Sequence, residues 1–266
     1  MLLREVEYAR PTSVQEAVRL LGEQDGARPL AGGQTLINVM KARAASPDAL
    51  VDLADLSELK GIELSADGTL AIGAMTTYTE IIDSVEARAR PILGEVCAQI
   101  ADVQVRNRGT IGGNVCSNDP TNHLPPVLVA AGATMTIVGP DGERTVPAEE
   151  FFLGVYMTAA GPGELLTKIT VPPGKSDGFA SVAIGRDGTC IVSAAASLDG
   201  EAPRLVLGCV DAVPVLLRPA SADENVVRDA VRGAGLEPPS DVHASAEYRR
   251  HLAEVMSVRA VEKARR

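Results

Sequence analysis

The chain has 266 residues, a formal net charge of −10, and 3% aromatic residues with no tryptophan. This length accommodates one or two domains with a substantial core. The acidic balance argues against nucleic acid as the main ligand, because nucleic-acid binding requires a basic surface. No stretch approaches the roughly 18 apolar residues of a membrane span. The first residues also lack the apolar run of a secretory signal, so we expect a cytoplasmic location.

Cysteine and histidine are too few and too scattered to predict a metal site in this chain. The sequence has four cysteines and three histidines. No two cysteines form a Cys-x-x-Cys pair, and no two histidines have the spacing of a metal pair. We therefore predict neither a zinc site nor an iron–sulfur cluster here. The cysteines are Cys97, Cys116, Cys190 and Cys209.

The N-terminal part of the chain alternates between helical and extended patterns. Thr12 or Ser13 is predicted to cap a helix over residues 14–21, and Glu16 stands at capping-box spacing from Ser13. The elements predicted next are a strand at 29–31, a helix at 36–43 and a strand at 50–53. This order resembles a βαβ unit, but it lacks the G-x-G-x-x-G sequence of a dinucleotide-binding Rossmann site.

From residue 61 to residue 171 the pattern changes to short strands and turns. Asp-Gly pairs at 67–68 and 141–142 predict two hairpins. Residues 172–174 (Pro-Pro-Gly) follow a strand and are the predicted linker. The other elements predicted along the chain are helices at 78–84 and 90–101, a strand at 165–171, an alanine-rich stretch at 193–198, a strand at 204–210 and two polar helices near the end.

Two glycine-pair segments of similar design stand out. We call residues 31–35 (Ala-Gly-Gly-Gln-Thr) the first glycine loop and residues 110–114 (Thr-Ile-Gly-Gly-Asn) the second glycine loop. Glycine allows positive φ and close backbone approach, and converging N–H groups hold phosphate without a formal positive charge. The first loop also precedes a predicted helix, where the helix dipole favours an anion. Each loop alone is compatible with an ordinary turn. The pair indicates two phosphates, or one pyrophosphate held from both sides, and favours a dinucleotide.

The two loops and their flanks resemble the FAD-binding medium subunits of the molybdenum hydroxylases, the family of carbon monoxide dehydrogenase and xanthine dehydrogenase. The resemblance extends over nearly the whole chain, and its motifs follow the family's order. The further segments that carry it are 8–13, 51–53, 72–77, 100–102, 104–109, 118–120, 124–126, 163–166, 248–252 and 259–261.

The resemblance implies an α+β fold with a two-part FAD-binding domain of the PCMH or vanillyl-alcohol-oxidase type. This domain would cover residues 1–173, with subdomains of about 1–57 and 58–173. A small α+β C-terminal domain of the carbon monoxide dehydrogenase flavoprotein type would follow over residues 174–266. That partition agrees with the Pro-Pro-Gly break.

The resemblance also implies which residues contact FAD. Backbone N–H groups of the first loop would hold one side of the pyrophosphate, and Asn114 suits a phosphate or a ribose. Ile100 and Ala101 would pass near the flavin ring, where an apolar side chain excludes water from one face. Leu165 and Leu166 match positions near the adenine or the flavin, and core packing is the alternative. The matched positions are Ala31, Gly32, Gly33, Gln34, Thr35, Ile100, Ala101, Thr110, Gly113, Asn114, His123, Leu165 and Leu166.

Three positions depart from the family pattern. His123 stands where the family usually has an aspartate near the adenosine half, so carboxylate-to-ribose pairing is lost. Ala183 stands where a lysine often approaches the flavin. Cys190 lies at or near a position where some relatives place a tyrosine against the ring. We leave open whether Cys190 is a flavin neighbour or a small buried residue.

Several other side chains receive structural interpretations. Arg106 and Arg108 are candidate phosphate ligands, but we expect arginines on such a loop to be solvated. The aromatic residues Phe151, Phe152 and Tyr156 are predicted to lie in the core. No residue is predicted to be catalytic, because the chain has no metal set, no nucleophile with a base and no paired carboxylates.

The resemblance implies one subunit of a three-part enzyme. A large subunit would carry a molybdenum–pterin cofactor, and a small subunit would carry two [2Fe-2S] clusters. FAD in this chain would collect electrons from the clusters and deliver them to an external acceptor. Two such heterotrimers would form a dimer. The substrate and the acceptor are not readable from this chain.

Three alternatives stay open from the residues. The chain could be a self-contained FAD-dependent oxidoreductase, although such enzymes bring a larger substrate domain. It could be a non-catalytic interaction subunit with an empty nucleotide site. A phosphate-binding enzyme such as a kinase would favour G-x-x-x-x-G-K-[ST], which the sequence lacks.

Overall fold

The first part of the molecule is a small parallel sheet flanked by two helices. We describe a computed structural model that covers residues 2–185, 188–200 and 202–266. The three strands lie in the order β1–β3–β2 and pair in parallel. Helices connect the strands because parallel neighbours need a crossover. The elements are β1 (Glu7–Ala9), α1 (Val14–Glu23), β2 (Ala27–Leu30), α2 (Leu36–Lys41) and β3 (Ala49–Asp52).

The predicted N-cap of α1 is present, but its capping box is incomplete. Ser13 Oγ accepts a hydrogen bond from the Glu16 N–H at 3.1 Å. The Glu16 carboxylate instead accepts from the N–H and the hydroxyl of Thr12, at 2.7 and 2.9 Å. These bonds lower the pKa of Glu16. Glu16 therefore fixes the residue before the cap rather than the cap itself.

The second part is an antiparallel sheet of order β4–β5–β10–β6–β7 with short helices against it. Both predicted hairpins are confirmed, β4 with β5 and β6 with β7. The strands are β4 (Ile62–Leu64), β5 (Leu70–Gly73), β6 (Thr134–Gly139), β7 (Gly142–Pro147) and β10 (Leu165–Val171), with a separate hairpin of β8 (Phe152–Gly154) and β9 (Met157–Thr158). The helices are α3 (Tyr78–Asp83), α4 (Ile92–Cys97), α5 (Val103–Arg106), α6 (Ile111–Ser117), α7 (Leu124–Ala130) and α8 (Ala148–Phe151).

The last part is a four-stranded antiparallel sheet covered by helices. Its order is β11–β12–β13–β14, and α10 packs against β11 and β12. The alanine-rich stretch forms most of β12, whose residues are all buried. Small side chains suit this strand because a long helix packs closely over it. The elements are β11 (Asp177–Ala183), β12 (Cys190–Ser197), β13 (Arg204–Gly208), β14 (Val215–Leu217), α9 (Glu224–Gly233) and α10 (Ala246–Ala264).

Each part contributes a hydrophobic cluster, and the central cluster extends into the last part. The central cluster is formed largely by β5, β6, β10 and the helices α3, α4, α6 and α7. Phe179 of β11 and Val206 of β13 also belong to it. One hydrophobic cluster thus includes residues from both sides of the Pro-Pro-Gly segment. The residue bounds of the domains stay a prediction.

Arg90 is the main polar connection between the second and last parts. Its side chain is only 1% exposed. The guanidinium donates to both carboxylate oxygens of Asp177 at 2.7 and 2.8 Å, and to the Pro172 carbonyl at 2.6 Å. It also donates to Ser197 Oγ at 3.3 Å. A buried guanidinium is tolerated here because its donors are paired.

Two expectations about this region are wrong. The helix predicted over residues 90–101 is shorter, because α4 begins after Pro91 and ends at Cys97, before the positive φ of Ala101. Phe151 and Phe152 are buried as predicted, but Tyr156 is 64% exposed. Tyr156 lies at the tip of the β8–β9 hairpin with φ of +57°, so its side chain points away from the core.

Candidate functional site

The structure brings the two glycine loops into direct contact. A Cβ on Gly32 would lie 1.9 Å from the carbonyl oxygen of Arg108, just before the second loop. A Cβ on Gly113 would lie 3.6 Å from Ala31 Cβ and 2.9 Å from Thr110 Oγ. Gly32 therefore permits a backbone approach that any side chain would block. The two loops form one continuous surface.

The first loop presents open N–H groups at this surface. Gly33 has φ of +73°, a conformation that L-residues rarely adopt. Across the described ranges, no group accepts a hydrogen bond from the N–H groups of residues 32–35. The carbonyls behave differently, since Gly33 O and Thr35 O accept from the helix α2 that follows. The loop is therefore a set of donors without acceptors, as an anion site requires.

The second loop is not an N–H nest, contrary to expectation. Thr110 caps α6, and the glycines form its first turn. The first three N–H groups of α6 are all donated within the chain: Ile111 to Thr76 O, Gly112 to Ala74 O and Gly113 to Thr110 Oγ. These donors are consumed by packing against the β5 end, which the local sequence does not reveal. The backbone N–H groups of residues 111–114 are therefore used within the chain and are not free to bind an anion.

Asn114 supplies the unpartnered polar atom of the second loop. The residue is 8% exposed, and its Oδ1 is buried with no hydrogen-bond partner among the residues described. Burial raises the pKa of Tyr78, and a hydrogen bond from the Asn114 side chain opposes that rise. The unpartnered Oδ1 is therefore left as an acceptor. A phosphate is also an acceptor, so it cannot pair with Oδ1. A hydroxyl donor, such as that of a ribose or ribityl group, suits Oδ1 instead.

Ile100 and Ala101 form a tight turn after α4. Ala101 has φ of +44°. The Arg106 guanidinium donates from Nη1 to the carbonyl oxygens of Ile100 and Ala101, at 3.0 and 2.5 Å. Arg106 is therefore neither a phosphate ligand in this geometry nor the solvated side chain that we expected. Arg108 is exposed. Only its backbone carbonyl lies against Gly32.

Leu165 and Leu166 serve the core. Both are buried on the central strand β10. Leu165 packs in the N-terminal cluster, and Leu166 packs in the central one. Adjacent strand residues point to opposite faces, so one pair joins both clusters. The structure favours the packing alternative over a side-chain contact with a cofactor.

His123 lies where the second and last parts meet. It is buried just before α7, and its ring centroid is 5.3 Å from that of Phe179 on β11. Burial lowers the pKa of His123, partly opposed by a hydrogen bond with the Thr121 backbone. The neutral imidazole is thus the favoured form at neutral pH. Its contact with an adenosine group stays a prediction.

The lowered pKa of His123 predicts a specific pH dependence of stability. The unfolded chain protonates His123 near pH 6.5, before the folded protein does, so the free energy of unfolding should fall below about pH 6.5. The slope from this group is at most about 1.4 kcal/mol per pH unit. Urea unfolding of the wild type and of His123→Gln between about pH 5 and 7 measures it. Equal slopes in the two proteins would contradict the prediction.

Ala183 and Cys190 face each other across β11 and β12, at a bulge in the register. Cys190 is buried and hydrogen-bonds to Cys209, which raises the pKa of the Cys209 thiol together with burial. Cys209 Sγ in turn donates to the Pro120 carbonyl at 3.0 Å. Cys190 thus occupies a small packed position, which favours the second of the two interpretations.

The described ranges contain neither a metal-binding cluster of side chains nor a helix suited to span a membrane. No group of three or more histidine, cysteine, aspartate and glutamate side chains is arranged to hold a metal ion in the part of the chain that the structure describes. Within the same ranges, no helix has both the length and the apolar character needed to cross a membrane.

Comparison with known proteins decides the family. Residues 4–174 match the family model described as the FAD binding domain in molybdopterin dehydrogenase. The carbon monoxide dehydrogenase medium chain of Afipia carboxidovorans is 39% identical, over 97% of this chain and 96% of the relative. The chain belongs to the FAD-binding medium subunits of the molybdenum hydroxylases.

Further comparisons agree with this membership. The glyceraldehyde dehydrogenase medium chain of Sulfolobus acidocaldarius is 36% identical, over 96% of this chain and 97% of the relative. The fold matches a chain of the cyanide-inactivated Cu,Mo-CO dehydrogenase with a TM-score of 0.91 and 38% identity, over 99% of both chains. The predicted α+β flavoprotein fold, the FAD cofactor and the oxidoreductase class are thereby confirmed.

Sequence reasoning missed three features of this site. They are the acceptors at Ala74 and Thr76 that consume the second-loop donors, the contact of Tyr78 with Asn114, and the bonds from Arg106 to Ile100 and Ala101. The Tyr78 contact links two distant segments and has no local signal. The Arg106 bonds have a weak local signal, because an arginine side chain is long enough to donate to carbonyls five or six residues earlier in the chain.

Proposed function

We propose that this medium subunit is the electron-transfer subunit of a heterotrimeric molybdenum hydroxylase. It would take electrons from the [2Fe-2S] clusters of a small subunit and pass them through FAD to an external acceptor. Family membership supports the flavoprotein role. The observation that carries the site assignment is the set of open N–H groups at residues 32–35 beside the unpartnered Asn114 Oδ1.

The residues present fit FAD by their donor and acceptor chemistry. The open N–H groups of Gly32, Gly33, Gln34 and Thr35 would hold the anionic pyrophosphate. Asn114 Oδ1 would accept from a hydroxyl of the cofactor. Thr35 Oγ makes no cap bond to α2, so it is available as a neutral donor. Thr110 and Gly113 would shape the wall of the site, where the Gly113 N–H is already donated to Thr110 Oγ.

FAD supplies a centre that accepts electrons singly and releases them in pairs. The chain's own residues bind and orient that centre. Ile100 would exclude water from one face of the ring, which strengthens the electrostatic influence of nearby groups.

The partners that we propose are a large molybdenum–pterin subunit and a small [2Fe-2S] subunit, in a dimer of heterotrimers in the cytoplasm. Related chains are called medium chains, which supports partners of larger and smaller size. We also propose the division into a FAD-binding domain at 1–173 and a C-terminal domain at 174–266. The substrate would be chosen by the large subunit.

The absorbance spectrum of the natively purified protein tests the proposal. We expect flavin bands, iron–sulfur absorption and two co-purifying chains, one about three times larger by family resemblance. Flavin bands from a lone chain that bleach with a simple reductant substrate would favour a self-contained flavoenzyme instead. A colourless chain that takes up no added FAD would contradict the proposal and favour an interaction subunit with an empty site.

A further inference from the structure

We infer that Arg106 is a positioning residue for the flavin site. Its guanidinium holds the turn at Ile100 and Ala101 in the shape that would let Ile100 cover one face of the flavin. This inference rests on the proposed function, because it needs a flavin at the site. It adds a role for a side chain that touches no part of the cofactor.

The contacts of Arg106 compensate for an unfavourable backbone conformation. Ala101 has φ of +44°, where a Cβ crowds the following carbonyl. Arg106 Nη1 donates to Ile100 O at 3.0 Å and to Ala101 O at 2.5 Å. Hydrogen bonds from a charged donor are stronger than neutral ones. Among the described residues, these are the side-chain hydrogen bonds to the two carbonyls, so without them we expect the turn to relax toward negative φ.

Arg106 is itself fixed by the short helix that carries it. Asp102 Oδ1 accepts from the Val105 N–H at 2.9 Å and caps α5. The Arg106 N–H donates to Asp102 O at 3.0 Å. These bonds fix the backbone from which the guanidinium reaches back over a single helical turn.

The segment that contains Arg106 also contacts the first glycine loop in space. Two residues after Arg106, the carbonyl of Arg108 lies against Gly32. A shift of the Ile100–Ala101 turn would therefore be transmitted through α5 to the wall that supports the open N–H groups. Arg106 thus links the apolar cover of the ring to the anion site through one short helix.

The experiment compares FAD binding by the wild type, Arg106→Met and Arg106→Lys, with Arg88→Met as the control for charge loss. Arg88 is exposed and lies outside the site. We expect Arg106→Met to bind FAD about ten-fold more weakly, because only about one molecule in ten would then hold the turn in the binding-competent shape. Its bound flavin should lose the fine structure of the long-wavelength band, which sharpens when water is excluded. Lysine keeps the charge and several donors, so Arg106→Lys should recover most of both properties.

A second readout needs no cofactor. In the apoprotein, amide hydrogen exchange at residues 100–103 should be faster in Arg106→Met than in the wild type, while Arg88→Met stays unchanged. If Arg106→Met does not fold by circular dichroism, Arg106→Gln takes its place with the same expectations.

The outcomes separate this inference from the proposed function. A wild type that binds FAD, together with an Arg106→Met variant of equal affinity, spectrum and exchange, overturns the inference and leaves the function standing. Weaker binding with an unchanged spectrum and unchanged exchange also overturns it, since a merely electrostatic effect would give that result. A wild type that binds no FAD removes the proposed function, and with it the role toward flavin.

Discussion

Replacing Gly33 with valine should lower the affinity for FAD by about 100-fold or more while leaving the protein folded. Gly33 has φ of +73°, which a β-branched residue essentially never adopts. The loop would turn to negative φ and direct its N–H groups away from the anion. Losing two charge-assisted hydrogen bonds is enough for an effect of this size. Fluorescence titration of the apoprotein with FAD measures it.

The fold should tolerate this valine because the neighbours of Gly33 are flexible. A Cβ there would meet Ile37 Cγ1 at 3.2 Å and Leu30 Cδ1 at 3.5 Å, both on side chains. Gly235→Val is the matched control, since Gly235 has φ of +63° and open space around its Cβ position. Both variants carry the same backbone cost, but only Gly33→Val should lose FAD. Full flavin occupancy in Gly33→Val would show that this loop does not hold the pyrophosphate.

Replacing Arg90 with methionine should lower the free energy of unfolding by about 3–5 kcal/mol. Arg90 and Asp177 are almost completely buried, with exposed side-chain fractions of 1% and 6%. Methionine would leave the Asp177 carboxylate without its counter-charge, and the Pro172 carbonyl without a donor. The stability lost is that of the junction between the second part and the last part. Urea unfolding of the apoprotein, followed by circular dichroism, measures the change.

Two controls bracket the Arg90 prediction. Arg19→Met removes an exposed ion pair with Glu23 and should cost at most about 0.5 kcal/mol. Arg90→Met combined with Asp177→Leu removes both buried charges and should be more stable than Arg90→Met alone. If Arg90→Met costs less than about 1 kcal/mol, the buried network does not hold the two parts together.

Much of the fold was predictable because it depends on neighbours in sequence. The Asp-Gly pair at 67–68 forms its hairpin through local hydrogen bonds, and Gly68 has the positive φ that such a turn needs. The strand at 165–171 was predicted at the bounds that the structure gives. The helix predicted over 90–101 covers only Ile92–Cys97, because the chain leaves the helical conformation before Ala101, which has φ of +44°.

The site was predictable in its members but not in their roles. The first loop has the open donors that its sequence suggested. The second loop has the same kind of sequence, yet Ala74 and Thr76 consume its donors. Leu166 packs in the central cluster, where the sequence left a cofactor contact open.

The sequence by itself determined the family, the order of most helices and strands, and the positions where only glycine allows the chain to turn. These properties follow from interactions within a few residues and from motifs that recur in relatives. The tertiary structure alone decided which N–H groups stay open, which way Arg106 points, and that Asn114 keeps an unpartnered oxygen. The physical reason is that a hydrogen-bonding group is satisfied or left open by whatever segment packs against it, and those segments lie far away in sequence.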